Sequence, residues 1–171
     1  MNEARPSFDP YAILASLDRR HVRYVVIGAF ARVIRGADEM TDGVDVVPSS
    51  RPGNLRRLEH ALQDLGAQRI DGSGVVLFDG AVGQEPVIEF TTEMGELKVV
   101  PQPAGTRGGY DDLRRAATRE PIGKGLRPSV ASLADLARMI AALGRDDDVQ
   151  KLRALRRLTE LERGLARELS L

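Results

Sequence analysis

The chain has 171 residues, 42% of them hydrophobic, enough for one domain with a core of its own. Its 25 basic residues balance 25 acidic ones, which argues against a non-specific nucleic-acid binder, since that needs a basic excess. With no Cys, and only His21 and His60 far apart in the chain, disulfides and thiolate metal sites are excluded and a histidine-rich metal site is not expected. Aromatics are 4% and Trp is absent, so the core must be built from Leu, Val, Ile and Ala. No stretch approaches the ~20 apolar residues that span a bilayer, and the first residues lack an apolar run of signal length. A cytoplasmic protein with no membrane partner is therefore expected.

Asp9-Pro10 reads as a helix start, with the cap at Asp9 and proline in the first turn. Ile13, Leu14 and Leu17 give that helix its apolar face. A short strand is expected over residues 23–27, ending at Gly28, then a helix over 29–34 stopped by Gly36. A second strand is expected over 44–47, stopped by Pro48. Ser49-Ser50 offers a cap for a helix running to Leu65, with Leu55, Leu58, Leu62 and Leu65 at helical spacing and Gly66 as its stop. Strands are expected over 75–78, 86–92 and 96–100, separated by Gly80, Gly83 and Gly95, with Met94-Gly95 as the turn of the last hairpin. A Pro/Gly loop over 102–109, a helix over 110–118 and a brief strand near Val130 follow. Ser132 and Asp135 form a capping-box-like pair for a helix ended by Gly144. Asp146, Asp147 and Asp148 then open the last helix, striped by Val149, Leu152, Leu155, Leu158, Leu161 and Leu165. The fold class read from this order is α/β (α+β): a small mixed sheet with flanking helices and a helical C-terminal part. Residues 1–130 are expected to form the α/β core and 131–171 a helical part packed on it as one unit.

Residues 24–48 carry the chemistry. Gly28-Ala29, between an apolar strand and a helix, is a candidate phosphate cradle, because backbone N–H groups can bind an anion there and glycine admits close approach. Thr41-Asp42-Gly43-Val44-Asp45 then opens the next strand. Asp45 is a strand carboxylate; two residues before it, on the same face, stands Gly43.

This pattern resembles the nucleotidyltransferase superfamily of the DNA polymerase beta type, and within it the branch of AbiEii-like and MenT-like toxins of toxin–antitoxin systems. The later order also matches: the strand Gly95-Glu96-Leu97-Lys98-Val99-Val100, the segment after Gly109, and the helix from Ser132 to Gly144. The likeness covers residues 10–155 as an order of elements and implies a nucleotidyltransferase-like fold. In active members two carboxylates two residues apart, with a third from a neighbouring strand, hold two divalent ions. Here the resemblance puts the second carboxylate on Asp45, but Gly43 on the first position and Lys98 on the third. Glu39 and Met40 replace a basic residue and a Thr, and a helix lysine falls on Ile140. The residues left for a site are Gly28, Thr41, Asp45 and Asp148, with Lys98 expected to pair with Asp45 where a metal would stand.

Two function classes follow. One is a non-catalytic binding or regulatory protein in a toxin–antitoxin setting, partnered by a cognate antitoxin or toxin, with no cofactor expected. The other is an active enzyme that moves a nucleoside monophosphate from a nucleoside triphosphate to tRNA or protein. It would use Mg²⁺ or Mn²⁺ on Asp45 with Asp42 or Glu96, and nucleotide contacts at Gly28, Ala29 and Thr41. A homodimer formed through the leucine-striped last helix is a third reading. Arg114, Arg115, Arg153, Arg156 and Arg157 could meet RNA phosphate, but interleaved glutamates favour a salt-bridged surface.

Overall fold

The computed structural model describes residues 7–75, 77 and 85–170. Asp9 caps the first helix as its sequence suggests: its carboxylate accepts a hydrogen bond from the Ala12 amide at 3.1 Å, and α1 runs Pro10–Arg19. The chain continues through β1 (Tyr24–Ile27), α2 (Gly28–Ile34), β2 (Gly43–Pro48) and α3 (Pro52–Asp64). Then come β3 (Gln68–Arg69), β4 (Ile88–Thr92), β5 (Gly95–Val99), α4 (Tyr110–Leu113), β6 (Thr118–Arg119) and β7 (Ser129–Val130). It ends with α5 (Leu133–Leu143), a 3-10 turn (Asp146–Asp148) and α6 (Val149–Leu169). Among the described residues no helix is long and apolar enough to cross a membrane.

The strands form one mixed sheet in the order β3-β4-β5-β2-β1-β7-β6. Strand β2 lies antiparallel to β1 and parallel to β5, so Asp45 is opposite Ile27 on one side and Lys98 on the other. Because side chains alternate along a strand, one face of β2, β5 and β4 carries Val44, Val46, Leu97, Val99, Ile88 and Phe90, all buried. Helices α1 and α3 supply the apolar partners Ile13, Leu14, Leu17, Leu58 and Leu62 to the same core. Their close approach is marked by the buried Ser16 hydroxyl, which donates to the Ala61 carbonyl at 3.1 Å. The other face of these strands shows Gly43, Asp45, Glu96, Lys98, Glu89 and Thr91.

Two polar anchors, a buried Asn54 and a half-buried Arg35, tie the central strands to their helices. Asn54 donates to the carbonyls of Arg23 and Ser49 at 3.0 and 2.9 Å and accepts from the Arg23 amide at 2.7 Å. Arg35, just past α2, donates to the carbonyls of Ala131 and Val130 at 3.1 and 3.0 Å and pairs with Glu120 at 2.7 Å, tying α2 to β7.

Several local expectations are corrected. The β4–β5 turn is Glu93-Met94, and Gly95 opens β5 with φ +121°. A Cβ at Gly95 would lie 2.7 Å from the Phe8 ring and 2.9 Å from the Asp42 carbonyl, so glycine is required there for space as well as backbone. Pro48 does not stop β2 but is paired with Tyr24, and α3 starts after Arg51 without a serine cap, because Ser49 is buried and its amide donates to Arg23. The helix expected over 110–118 stops at Leu113, and its last residue, Thr118, opens β6 instead. Of the strand expected over 75–78, Val75 lies in a bend and the Leu77 amide donates to the buried Glu59 carboxylate; 76 and 78 lie outside the described residues, as do Gly80 and Gly83. The stripe on α6 is only partly used: Leu155 is buried, whereas Leu161 and Leu165 are 63% and 60% exposed.

Candidate functional site

Strand β1 ends at Ile27 and the chain turns at Gly28 with φ +72°. A side chain here would be strained by the backbone, and its Cβ would run into the Asp45 carboxylate, whose Cγ lies 3.0 Å from that position. The structure thus brings the glycine turn and Asp45 into contact, as the antiparallel pairing of Ile27 with Asp45 requires. Asp45 is half-buried, and burial pushes its carboxyl above the usual carboxylate range. Lys98 and Arg32 pull the other way, while Glu89 and Glu96 add to the rise.

The expected Asp45–Lys98 ion pair is not formed. The two residues are neighbours across β2 and β5, but the Lys98 ammonium lies 4.0 Å from Glu89, its partner across the β4–β5 hairpin. Both side chains are about two-fifths exposed, so this loose pair is screened by water. The hairpin register explains the choice: with the turn at Glu93-Met94, Lys98 faces Glu89, and Glu96 faces Thr91. Glu89 was not singled out by sequence reasoning, because a Met94-Gly95 turn would have set Lys98 against Thr91. Arg32 was also missed. It is buried on α2 and grips Glu39 through two hydrogen bonds of 2.6 and 3.0 Å, so the acid found where the resemblance expects a base is neutralised from within the chain.

Glu96 shares the open face with Asp45, two residues from Lys98, and sits opposite Gly43. A Cβ at Gly43 would lie 3.0 Å from both the Cβ and the carbonyl oxygen of Glu96. Asp42 is exposed in the bend before β2, and its carbonyl accepts from the Glu96 amide at 3.1 Å. Thr41 turns its hydroxyl back on the chain, donating to the Gly43 carbonyl at 2.9 Å and accepting from the Gly43 amide at 3.3 Å. Ala29 is half-buried in the first turn of α2. Ile140 is in the core. Asp148 is buried at the start of α6 and held by Arg145 at 2.7 Å and Lys151 at 3.3 Å. Among the described residues, no three His, Asp or Glu side chains converge as a metal cage would require.

Three solved structures share this architecture. The antibiotic-resistance factor ANT(2'')-Ia is 13% identical, with a TM-score of 0.59 over 94% of this chain and 92% of its own. The lincosamide antibiotic adenylyltransferase LnuA, solved with lincomycin bound, is 15% identical, with a TM-score of 0.60 over 89% and 99%. TM1012 of Thermotoga maritima, assigned as a nucleotidyltransferase, is 16% identical, with a TM-score of 0.57 over 84% and 87%. No family model matches the sequence, and no curated protein matches it significantly. At such identities the likeness is one of architecture, and it extends over more than four-fifths of each chain. The chain has the nucleotidyltransferase fold.

Proposed function

We propose that this chain is a nucleotidyltransferase-fold protein with a degenerate metal site, acting as a non-catalytic binding or regulatory partner of the toxin–antitoxin type. One observation carries the reading. On the sheet face where carboxylates are needed, Asp45 has Gly43 on its own strand and Lys98 beside it on β5. The donor set therefore does not fit a pair of divalent ions, which want oxygen ligands and are repelled by an adjacent ammonium.

A second reading has its own support. Glu89 and Glu96 lie on the open face with Asp45, close enough to influence its ionisation, so an enzyme with displaced ligands would draw on Asp45 and Glu96. Asp42 is less suited, being in the exposed bend before β2. The acceptor in that case is tRNA, a protein hydroxyl or a small hydroxylated molecule.

Incubation with labelled nucleoside triphosphates, Mn²⁺ and total tRNA separates the two. The degenerate-site reading expects no incorporation and no Mn²⁺ binding by calorimetry. Incorporation that disappears in Asp45→Ala overturns it in favour of the enzyme. The double substitution Gly43→Asp with Lys98→Asp is expected to confer Mn²⁺ binding, after β5 gives way slightly at Glu96.

A further inference from the structure

A cleft of about 330 Å³ lies at the other end of β1 from Gly28, between α1, α4 and the β6–β7 edge. It is lined by Arg23, Arg114, Arg119, Tyr24, Tyr110 and Asp18, among others. Tyr24 and Ile27 stand at opposite ends of β1 and point to opposite faces, so this cleft is separate from the Asp45 face.

Its charge is not balanced. Asp18, the acidic residue in the lining, accepts a hydrogen bond from the Tyr24 hydroxyl at 2.9 Å. Arg114 has an ion pair with Asp111 at 3.1 Å, but both side chains are more than half exposed, so water weakens it. The guanidinium groups of Arg23 and Arg119 make no hydrogen bond or ion pair among the described residues. Three guanidiniums thus border one cleft with a single carboxylate, which is already engaged. A guanidinium presents its N–H donors in a planar fork that matches the oxygens of phosphate. The volume is at the lower end of the ~300–1,000 Å³ of small-ligand pockets, and the zero net charge of the chain leaves no basic excess for a nucleic-acid track.

We propose that this cleft binds the phosphate group of a small phosphorylated molecule, of nucleoside-monophosphate size, between Arg23, Arg114 and Arg119, with its organic part against Tyr110. The proposal does not rest on the state of the Asp45 site.

Amide NMR titrations with AMP, inorganic phosphate, adenosine and an oligoadenylate test it. AMP is expected to shift the amides of Tyr24, Tyr110, Arg119 and Ser129, inorganic phosphate to do so more weakly, and adenosine not at all. The double variant Arg23→Gln with Arg119→Gln, both exposed positions, is expected to weaken AMP binding by about tenfold or more with the melting temperature unchanged. Asp45→Asn is expected to leave AMP binding as it is. The proposal is overturned by an unchanged affinity in the double variant, by AMP binding no tighter than free phosphate, by shifts centred on Gly28 and Asp45, or by an oligoadenylate that binds more tightly than AMP.

Discussion

Asp45 and Asp148 are both carboxylates withdrawn from water, yet their surroundings move them in opposite directions. Asp45 is raised, with burial as the main cause, because no partner bonds its oxygens directly. Asp148 is lowered, chiefly by the hydrogen bond from Arg145 and then by Lys151. The linkage signs follow. Folded Asp45 holds its proton more tightly than unfolded Asp45, so its charge costs stability, absent below the unfolded pKa and fully present once pH has risen through the folded one. Folded Asp148 ionises more readily than unfolded Asp148, so its contribution is present above the unfolded pKa and lost as pH falls through the folded one. Thermal melts of Asp45→Asn and Asp148→Asn against the wild type are therefore expected to diverge with opposite slopes: the first gains on the wild type as pH rises from acid to neutral, the second falls behind. Parallel curves for Asp45→Asn would show that its carboxylate is as solvated as in the unfolded chain. Gly28 couples to the same group. Gly28→Ala is expected to cost about 1–2 kcal/mol from its left-handed backbone, plus the displacement of the Asp45 carboxylate. In a double-mutant cycle with Asp45→Ala the second part should be recovered, leaving only the backbone cost.

At the scale of elements, the parts legible in the sequence were those governed by local chemistry. The cap at Asp9, the apolar periodicity of α1, α3 and α5, and the glycine break after β1 depend on residues within a turn or two of each other, and all are found where the pattern puts them. The misread elements depend on partners distant in sequence. Pro48 stays in a strand because Tyr24 pairs with it, and β3, two residues long, exists only because β4 offers it an edge. Gly95 looks like a turn glycine in the sequence, but it opens β5, where the Phe8 ring and the Asp42 carbonyl leave no space for a Cβ. That displacement hid Glu89 from the candidate site. Gly28 and Asp45 are both legible as candidate site residues, but their contact follows from the antiparallel register that sets Ile27 opposite Asp45. Asn54 was not legible, although it holds β1, β2 and α3 together through three hydrogen bonds. Asn54→Leu removes the side-chain partners of the Arg23 amide and carbonyl and of the buried Ser49 carbonyl. It is expected to cost at least about 2 kcal/mol by denaturant unfolding, well above the effect of a surface substitution. A loss below half of that would mean that water enters and satisfies those groups.

For the molecule as a whole, zero net charge does not mean an even charge distribution. The open sheet face gathers Asp45, Glu89 and Glu96 around Lys98, while Arg23, Arg114 and Arg119 gather around the cleft at the far end of β1. The sheet separates the two, its buried face filled by Leu, Val and Ile beneath α1 and α3. A chain that is neutral near its sequence pI of about 6.8 lacks the like-charge repulsion that keeps proteins apart, and opposite patches on its two sides attract neighbouring copies. Such attraction is electrostatic and is screened over about 8 Å at 0.15 M salt. Solubility is therefore expected to pass through a minimum near pH 6.8 and to rise on adding salt to that level, with light scattering showing the second virial coefficient turning positive. Arg23→Gln with Arg119→Gln moves the net charge by two units and removes two of the three guanidiniums of the basic patch, so it should shift the minimum to lower pH and make it shallower. Association that persists unchanged in salt and in that variant would instead point to the exposed leucines of α6, Leu161, Leu165 and Leu169, as the sticking surface.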